Sequence, residues 1–315
     1  IRQKSLGARS YKMQLNPING STFGSQEVLK FQLPTLSRTY LDFSQAVLRG
    51  KIAITSASAN SVSFLERNIY SLFNRIETLS GNVQIDNISN VNVLMHAMND
   101  LGQGPIPSAF SHDSLLSGGD PCNKTLSQPL TTATTKPFAC PLPPLGFFSV
   151  DDKLIDLDCA EGLVLSFHLE DYRVALIQGS AAPTGYTLSE LTLEFPNCVE
   201  LTPEAQAAVN SSLGNQPVVY DYNTVSSTNF SKTANDTVLS QNIGVRVSSL
   251  EKCLVLHRNS ANTQTVNQAS LSNRSHANLS EFQLKIGGVS YPQISLKHSP
   301  DNQADVMAEL QRFDG

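Results

Sequence analysis

The chain has no tryptophan, and aromatic residues fill only 7% of its 315 positions. A carbohydrate-binding or receptor-binding β-sandwich that stacks sugars on exposed rings is poorly served by that supply. Charged residues are also scarce, at 16%. Helical bundles and coiled coils coat their surfaces with Lys and Glu, so the composition disfavours them. The formal charge is −5 and no run of Lys or Arg stands out. That lacks the footprint of a dedicated nucleic-acid binder, and no sequence-specific nucleic-acid binding is expected. No apolar run approaches the ~20 residues of a membrane helix. No stretch reads as a secretory signal.

Residues suited to chemistry are few and badly spaced for it. Cys122, Cys140, Cys159, Cys198 and Cys253 form no C-x-x-C pair, and their number is odd. A complete disulfide framework and a structural zinc site are therefore disfavoured. Isolated buried thiols in a reducing compartment fit this pattern, although Cys122 and Cys140 flank a Thr-rich loop and could pair. The histidines are His96, His112, His168, His257, His276 and His298. None stands at the i, i+2 or i, i+4 spacing of a metal pair, so a cupin-type metal site is not expected and each reads as structural or surface. Asp151 and Asp152 open a loop and suit a solvated turn better than an acid/base dyad. Gly102 and Gly104 lack the third glycine and the strand–helix setting of a dinucleotide site. There is no Walker loop and no G-x-S-x-G elbow. The expectation is that the chain is not an enzyme and has no catalytic, cofactor-binding or metal residues. The Asn-x-Ser/Thr sequons, for example at Asn19, Asn87, Asn229 and Asn278, are expected by chance in so Asn- and Ser-rich a chain, and are read as unmodified.

What is abundant is β-type pattern. Mean hydropathy is −0.15, ordinary for a globular protein. Gln26–Leu33 alternates with Leu29, Phe31 and Leu33 on one face until Pro34. Gln45–Thr55 alternates with Leu48, Ile52 and Ile54 on the core face. Phe64–Leu79 fits a short helix feeding a strand that ends at Ser80, Gly81 and Asn82. Val91–Met98 suits a short helix. Residues 99–146 read as loop, long enough to carry a function or meet a partner. Gly162–Glu170 is a strand with Leu163, Leu165, Phe167 and Leu169 on one face. Tyr172–Ile177 and Leu188–Leu201 are the next strands. Thr202 then caps a helix over Thr202–Val209, with Pro203 at its first position. After it the strand pattern resumes at Val218–Tyr222, Ile243–Val247, Cys253–Arg258 and Phe282–Ile286. Gly287 and Gly288 make a turn, Tyr291 and Pro292 end that segment, and Asp305–Phe313 fits a helix. Many short strands with long connections predict an all-β protein of sandwich or barrel type.

Read together, these segments resemble a known family. ELTLEFPNCVELTPEAQAAV resembles the end of the first barrel in double-jelly-roll major capsid proteins, those of polinton-like viruses and virophages in particular. SSLEKCLVLHR, NQASLSNRS, NLSEFQLKIGGVSYPQ and DVMAELQRF are similar to later segments of the same proteins. TYLDFSQAVLRGKIAIT with NIYSLFNRIETLSGNVQI resembles first-barrel strands, and NPINGSTFGSQEVLKFQLP the segment opening that barrel. The resemblance runs over residues 12 to 313. It implies tandem jelly rolls: an N-terminal arm at 1–25, a first jelly roll at 26–201, and a linker helix with a second, partial jelly roll at 202–315. That second stretch is shorter than the family's barrel, so the second barrel is expected to be incomplete in this chain, closed by another segment, or unusually compact. The implied role is a major capsid protein of an icosahedral DNA virus, located in the virion capsid. Its implied partners are two further copies in a trimeric pseudo-hexameric capsomer, neighbouring capsomers, penton and minor capsid proteins, and in some shells an internal membrane. A penton protein and a receptor-binding β-sandwich remain the alternatives.

Overall fold

The computed structural model describes residues 7–81, 83–100, 129–150, 154–158, 160, 162–214, 216, 218–233, 236–245, 249–258, 270–271 and 279–297. The chain forms two compact units: residues 1–230 with 263–272, and residues 231–262 with 273–315.

The first unit is a β-barrel. Its strands are β1 (Ala8–Leu15), β2 (Thr22–Gly24), β3 (Val28–Gln32), β4 (Thr39–Leu41), β5 (Val47–Ser56), β6 (Val62–Leu65), β7 (Phe73–Ser80), β8 (Val83–Ser89), β9 (Leu130–Thr131), β10 (Lys136–Pro141), β11 (Ile155–Asp156), β12 (Leu163–Leu169), β13 (Leu176–Gln178) and β14 (Pro183–Leu201). Helix α1 is Val91–Asp100, α2 Tyr172–Ala175 and α3 Pro203–Leu213.

The registers reduce these strands to a simple scheme. Cys198 of β14 faces Tyr11 on one side and Leu41 on the other, and Leu193 faces Leu15 and Leu48. So β1 lies on one side of β14, while β4 and β5 lie end to end on the other. Leu188 faces Phe23 and Ile52, which puts β2 in line with β1. Likewise β10 pairs with β5, and β11 with β4. The first sheet is therefore β1/β2, β14, β4/β5, β10/β11. The second is β3, β12, β7, β8. Numbered as eight composite strands in chain order, the sheets run 1-8-3-6 and 2-7-4-5. That alternation between two facing sheets is the jelly roll. A small third sheet, β13, β6, β9, completes the unit.

The break between β4 and β5 coincides with a proline. Pro196 lies inside the central strand β14 and has no N–H for a ladder. It is exposed. On one side β1 carries a register shift between Tyr11 and Met13. On the other, residues 42–46 leave the ladder, and Asp42 N–H donates to Asn197 O at 3.1 Å. Gly50 in β5 is required by close approach: a Cβ there would stand 2.6 Å from Leu191 Cδ2 and 3.1 Å from the Phe138 ring.

The core lies between the sheets. Leu48, Ile52, Leu188, Leu193 and Phe195 enter from the first, and Leu29, Phe31, Leu165 and Phe167 from the second, all fully buried. Aromatic rings bridge the two. Phe195 meets Phe43 at 5.1 Å, Phe43 meets Phe148 at 5.9 Å, Phe148 meets Phe167 at 6.3 Å, and Phe167 meets Phe31 edge-on at 5.9 Å. On the outer side of the first sheet, Glu194 binds Lys12 at 2.7 Å, Gln14 at 2.7 Å, and Arg49. These contacts tie both neighbours to β14. Burial pushes the Glu194 carboxyl up, but the hydrogen bonds from Lys12, Arg49 and Gln14 outweigh it and hold it below the usual range.

In the second unit the described regular structure is one hairpin, β15 (Glu281–Ile286) and β16 (Val289–Lys297). Gly287 and Gly288 turn it with φ of +57° and +86°, the two-residue turn that matches strand twist.

Several expectations need correction. Residues 1–25 read as an arm in the sequence, but 8–15 and 22–24 are barrel strands. Phe64 and Leu65 end strand β6. A 3-10 turn at Ile69–Leu72, capped by the Asn68 side chain, then feeds β7. Tyr172–Ala175 is a helical turn because the Asp171 carboxylate caps it, accepting from Arg173 N–H at 2.9 Å. Residues 136–141 are strand β10 and not loop. Residues 218–222, 243–245 and 253–258 are irregular instead of strands. The hairpin runs through Tyr291 and Pro292 rather than ending there. The helix expected at 305–313 lies outside the described residues.

This architecture gives two testable outcomes. Removing residues 1–15 should abolish cooperative thermal unfolding, because β14 then loses its partner on one side from Leu193 to Leu201; a Tm within about 4 °C of the full chain would contradict this. Glu194→Gln should cost about 1–3 kcal/mol at pH 7 by urea denaturation. The depressed carboxyl stabilises the fold above about 4.5, its ordinary value. The gap between the proteins should therefore close as pH falls through the folded value.

Candidate functional site

The positions flagged from the sequence do not converge. His112, His276, His298, Asp151, Asp152, Gly102, Gly104, Cys122, Cys159 and Asn278 lie outside the described residues. His168 sits on β12 against β7, with Nε2 at 2.8 Å from Glu77 Oε2 and Arg75 Nη2 at 3.2 Å. His257 lies on irregular chain. Cys140 and Cys198 are buried and Cys253 is exposed. Asn19 is structural: its amide donates to Val28 O at 2.7 Å and its Oδ1 accepts from Lys30 N–H at 3.0 Å. Among the described residues no three His, Cys, Asp or Glu side chains could hold a metal ion.

Two features of the first unit have no counterpart in the sequence reading. One is a strap. After α3, residues 220–227 run over the barrel and bind it mostly through side chains. Tyr220 Oη accepts from Asp156 N–H at 3.2 Å, and Tyr222 Oη donates to Ile85 O at 3.4 Å. Asn223 N–H donates to Ser149 Oγ at 2.9 Å, and Asn223 O accepts from Gly146 N–H at 2.8 Å. Thr224 Oγ1 donates to Asp86 Oδ1 and Ser227 Oγ to Ser89 O. Gly146 has a φ of +56°, and a Cβ there would lie 2.0 Å from Asp86 Oδ2. Alternating Val218, Tyr220 and Tyr222 suggest a strand, but the segment has side-chain anchors in place of a ladder.

The other is a buried polar cluster where β6, the 3-10 turn, α1 and α2 meet. Glu66, Asn68, Ser71, Asn92 and His96 are all buried. The Glu66 carboxylate accepts from Ser270 N–H at 2.8 Å and from Leu271 N–H at 2.7 Å. His96 Nδ1 lies 2.5 Å from Asn92 O and Nε2 3.0 Å from Glu66 O. Burial lowers the His96 pKa from its ordinary value, partly countered by the Asn92 carbonyl and the Glu66 carboxylate. His96, expected to be structural, lies inside this cluster; its distant partners leave no sequence signal.

Beyond α3 several large apolar side chains are exposed. Val219, Val238, Leu250 and Val255 are 59%, 79%, 51% and 45% exposed, and none lies in a strand.

No protein-family model matches the chain, and neither does any curated protein. Solved structures do. The Faustovirus major capsid protein matches with 11% identity over 68% of this chain and 58% of its own, at a TM-score of 0.42. The PBCV-1 virus capsid matches with 16% identity over 66% of this chain and 46% of its own, at 0.38. The PBCV-1 protein fitted into a reconstruction of the virophage Sputnik matches with 12% identity over the same shares, also at 0.38. The chain thus spans roughly half the length of these capsid structures.

Proposed function

We propose that this chain builds a viral shell as a major capsid protein of an icosahedral DNA virus, located in the virion capsid. The observation that carries the reading is the 1-8-3-6 and 2-7-4-5 strand order of the first unit. Jelly rolls serve as viral capsid, lectin and cupin domains. The ordered resemblance over residues 12 to 313 favours the first of these. After α3 and the strap the chain passes into a second unit with a β-hairpin, in keeping with a tandem arrangement. In this reading a subunit presents two lobes, and three subunits form a six-lobed capsomer with the same heterologous interface used three times. Its partners are then further copies of itself, neighbouring capsomers, and penton and minor capsid proteins. The role is structural, with no enzymatic step.

The exposed apolar side chains past α3 would be covered in the assembled state by another segment or subunit. Of the stretches 99–146, 223–242 and 259–280 that the sequence offers as trimer or tower contacts, 130–131 and 136–141 are barrel strands, 223–227 and 270–271 are bound to the barrel, and 101–128, 259–269 and 272–278 lie outside the described residues. A penton or receptor-binding head is the second reading. Size-exclusion chromatography with light scattering, followed by electron microscopy, decides among them. A trimer with a pseudo-hexagonal outline is expected. A pentameric ring would select the penton, and a persistent monomer the receptor-binding head.

A further inference from the structure

The two sheets of the jelly roll have four outer edges, along β3, β8, β10/β11 and β1/β2. An outer edge is a row of backbone N–H and C=O groups that pairs with any extended chain reaching it, unless something blocks it. Three of the four are blocked, each by its own device. On β3, the Asn19 side chain binds Val28 O at 2.7 Å and Lys30 N–H at 3.0 Å, and Ile18 N–H donates to Lys30 O at 2.8 Å. On β8, the strap hydroxyls of Tyr222 and Ser227 donate to Ile85 O and Ser89 O. On β10, Leu142 N–H bonds inward to Ala46 O, so the alternation of the ladder turns Pro137 and Pro141 outward, where their rings stand in place of N–H groups. Tyr70 Oη donates to Pro141 O at 2.7 Å on that side, and Tyr220 Oη accepts from Asp156 N–H of β11.

The fourth edge is β1. Thr202 N–H donates across the ladder to Gly7 O at 2.7 Å, whereas Leu201 N–H, opposite Ala8, donates away from β1 to Arg38 O at 2.9 Å. Bonded and non-bonded pairs alternate in an antiparallel ladder. The N–H and C=O groups of Ala8 and Ser10 therefore point out of the sheet edge, and those of Arg9 and Tyr11 point to β14. Among the described residues no backbone group bonds the outward ones, and Ala8, Arg9 and Ser10 are exposed. Very short edge strands and lysines held over the edge are common guards. β1 runs eight residues, and Lys12 is drawn back over β14 by Glu194 at 2.7 Å.

We propose that β1 pairs, edge to edge, with β1 of a second copy of this chain, the two strands running antiparallel about a two-fold axis at Ser10.

The sequence of the strand selects that occupant. A two-fold pair must set outward backbone groups against outward backbone groups. An axis at Ser10 does so: Ser10 meets Ser10 of the second copy, and Ala8 meets its Lys12. Arg9 then stands opposite Tyr11 of the second copy on one face of the joined sheet, where a guanidinium and a phenol ring attract. Each of these contacts occurs twice, and no like charges stand opposite each other. An axis at Arg9 or at Lys12 would set two cations together, and an axis at Tyr11 would set Arg9 against the buried Met13. The contact goes beyond the shell-building role and does not rest on it. A two-fold strand pair cannot form within a three-fold capsomer, so in a shell it would join one capsomer to the next.

Pairing over so few residues is weak, so it follows concentration. Hydrogen exchange on the full chain at two concentrations about a hundredfold apart tests it. The Ala8 and Ser10 amides are expected to exchange freely in the dilute sample and to slow at least about threefold in the concentrated one. The Arg9 and Tyr11 amides, bonded to β14, should not change. Ser10→Pro removes an outward N–H, spares the β14 ladder, and should abolish the concentration dependence at Ala8. Ala8→Lys sets a second cation opposite Lys12 and should abolish the dependence at Ser10, while Ala8→Glu should strengthen it. Wild-type amides that exchange equally at both concentrations, fast or slow, would overturn the proposal even if no variant folds. A dependence that survives in Ala8→Lys would overturn the register, and with it the choice of a second β1 as the occupant. None of these outcomes bears on the capsid reading, which the size and shape of the assembly decide.

Discussion

The first barrel depends on the placement of one strand. β14 is the last of the barrel to be synthesised, yet it lies between the first composite strand and the third. Until it arrives, β1 and β2 have no ladder partner, and β4 and β5 have β10 and β11 on one side only. Its inward residues also carry the aromatic bridge to the other sheet, through Phe195 and Phe43. Closure over so long a stretch costs entropy that grows only logarithmically with length, so the arrangement is tolerable in stability but slow to form. Glu194 and Pro196 then set the details. One pins both neighbours through charge, and the other lies at the level where β1 shifts register and β4 and β5 part.

The sequence pattern is most legible where a strand is buried on one face and polar on the other. β3, β5, β12 and β14 alternate cleanly, and their expected core faces are the buried ones. Helix α3 is legible from its cap alone, because Thr202 accepts from Ala205 N–H and Pro203 comes next. β1 is not, since of its apolar residues only Met13 is fully buried. β10 is hidden by Pro137 and Pro141, tolerated because its outer edge needs no donors. The opposite error arises at 218–222 and 253–258. Alternation there is real, but a strand exists only when another strand offers its N–H and C=O groups. No local pattern reports whether that partner is present.

The side-chain clusters are less legible than the fold, for a related reason. Glu66 and His96 look like ordinary polar residues in a mixed segment. Their meaning comes from Asn92, Ser270 and Leu271, which only the folded chain brings to them. Tyr220, Tyr222, Asn223 and Thr224 likewise reveal the strap only once Asp86, Gly146 and Ser149 are placed beside them.

The register between the two ends of the barrel carries one more consequence. Ala8 stands opposite Leu201, and Thr202 N–H donates to Gly7 O at 2.7 Å. The chain therefore enters and leaves this barrel at one corner. A module built that way can be copied head to tail within a gene without rethreading either copy, since each insertion adds only a short connector at a surface point. Duplication, permutation and fusion are all geometrically easy for such a unit. A closed barrel whose ends lay on opposite rims would need a connector as long as the barrel itself.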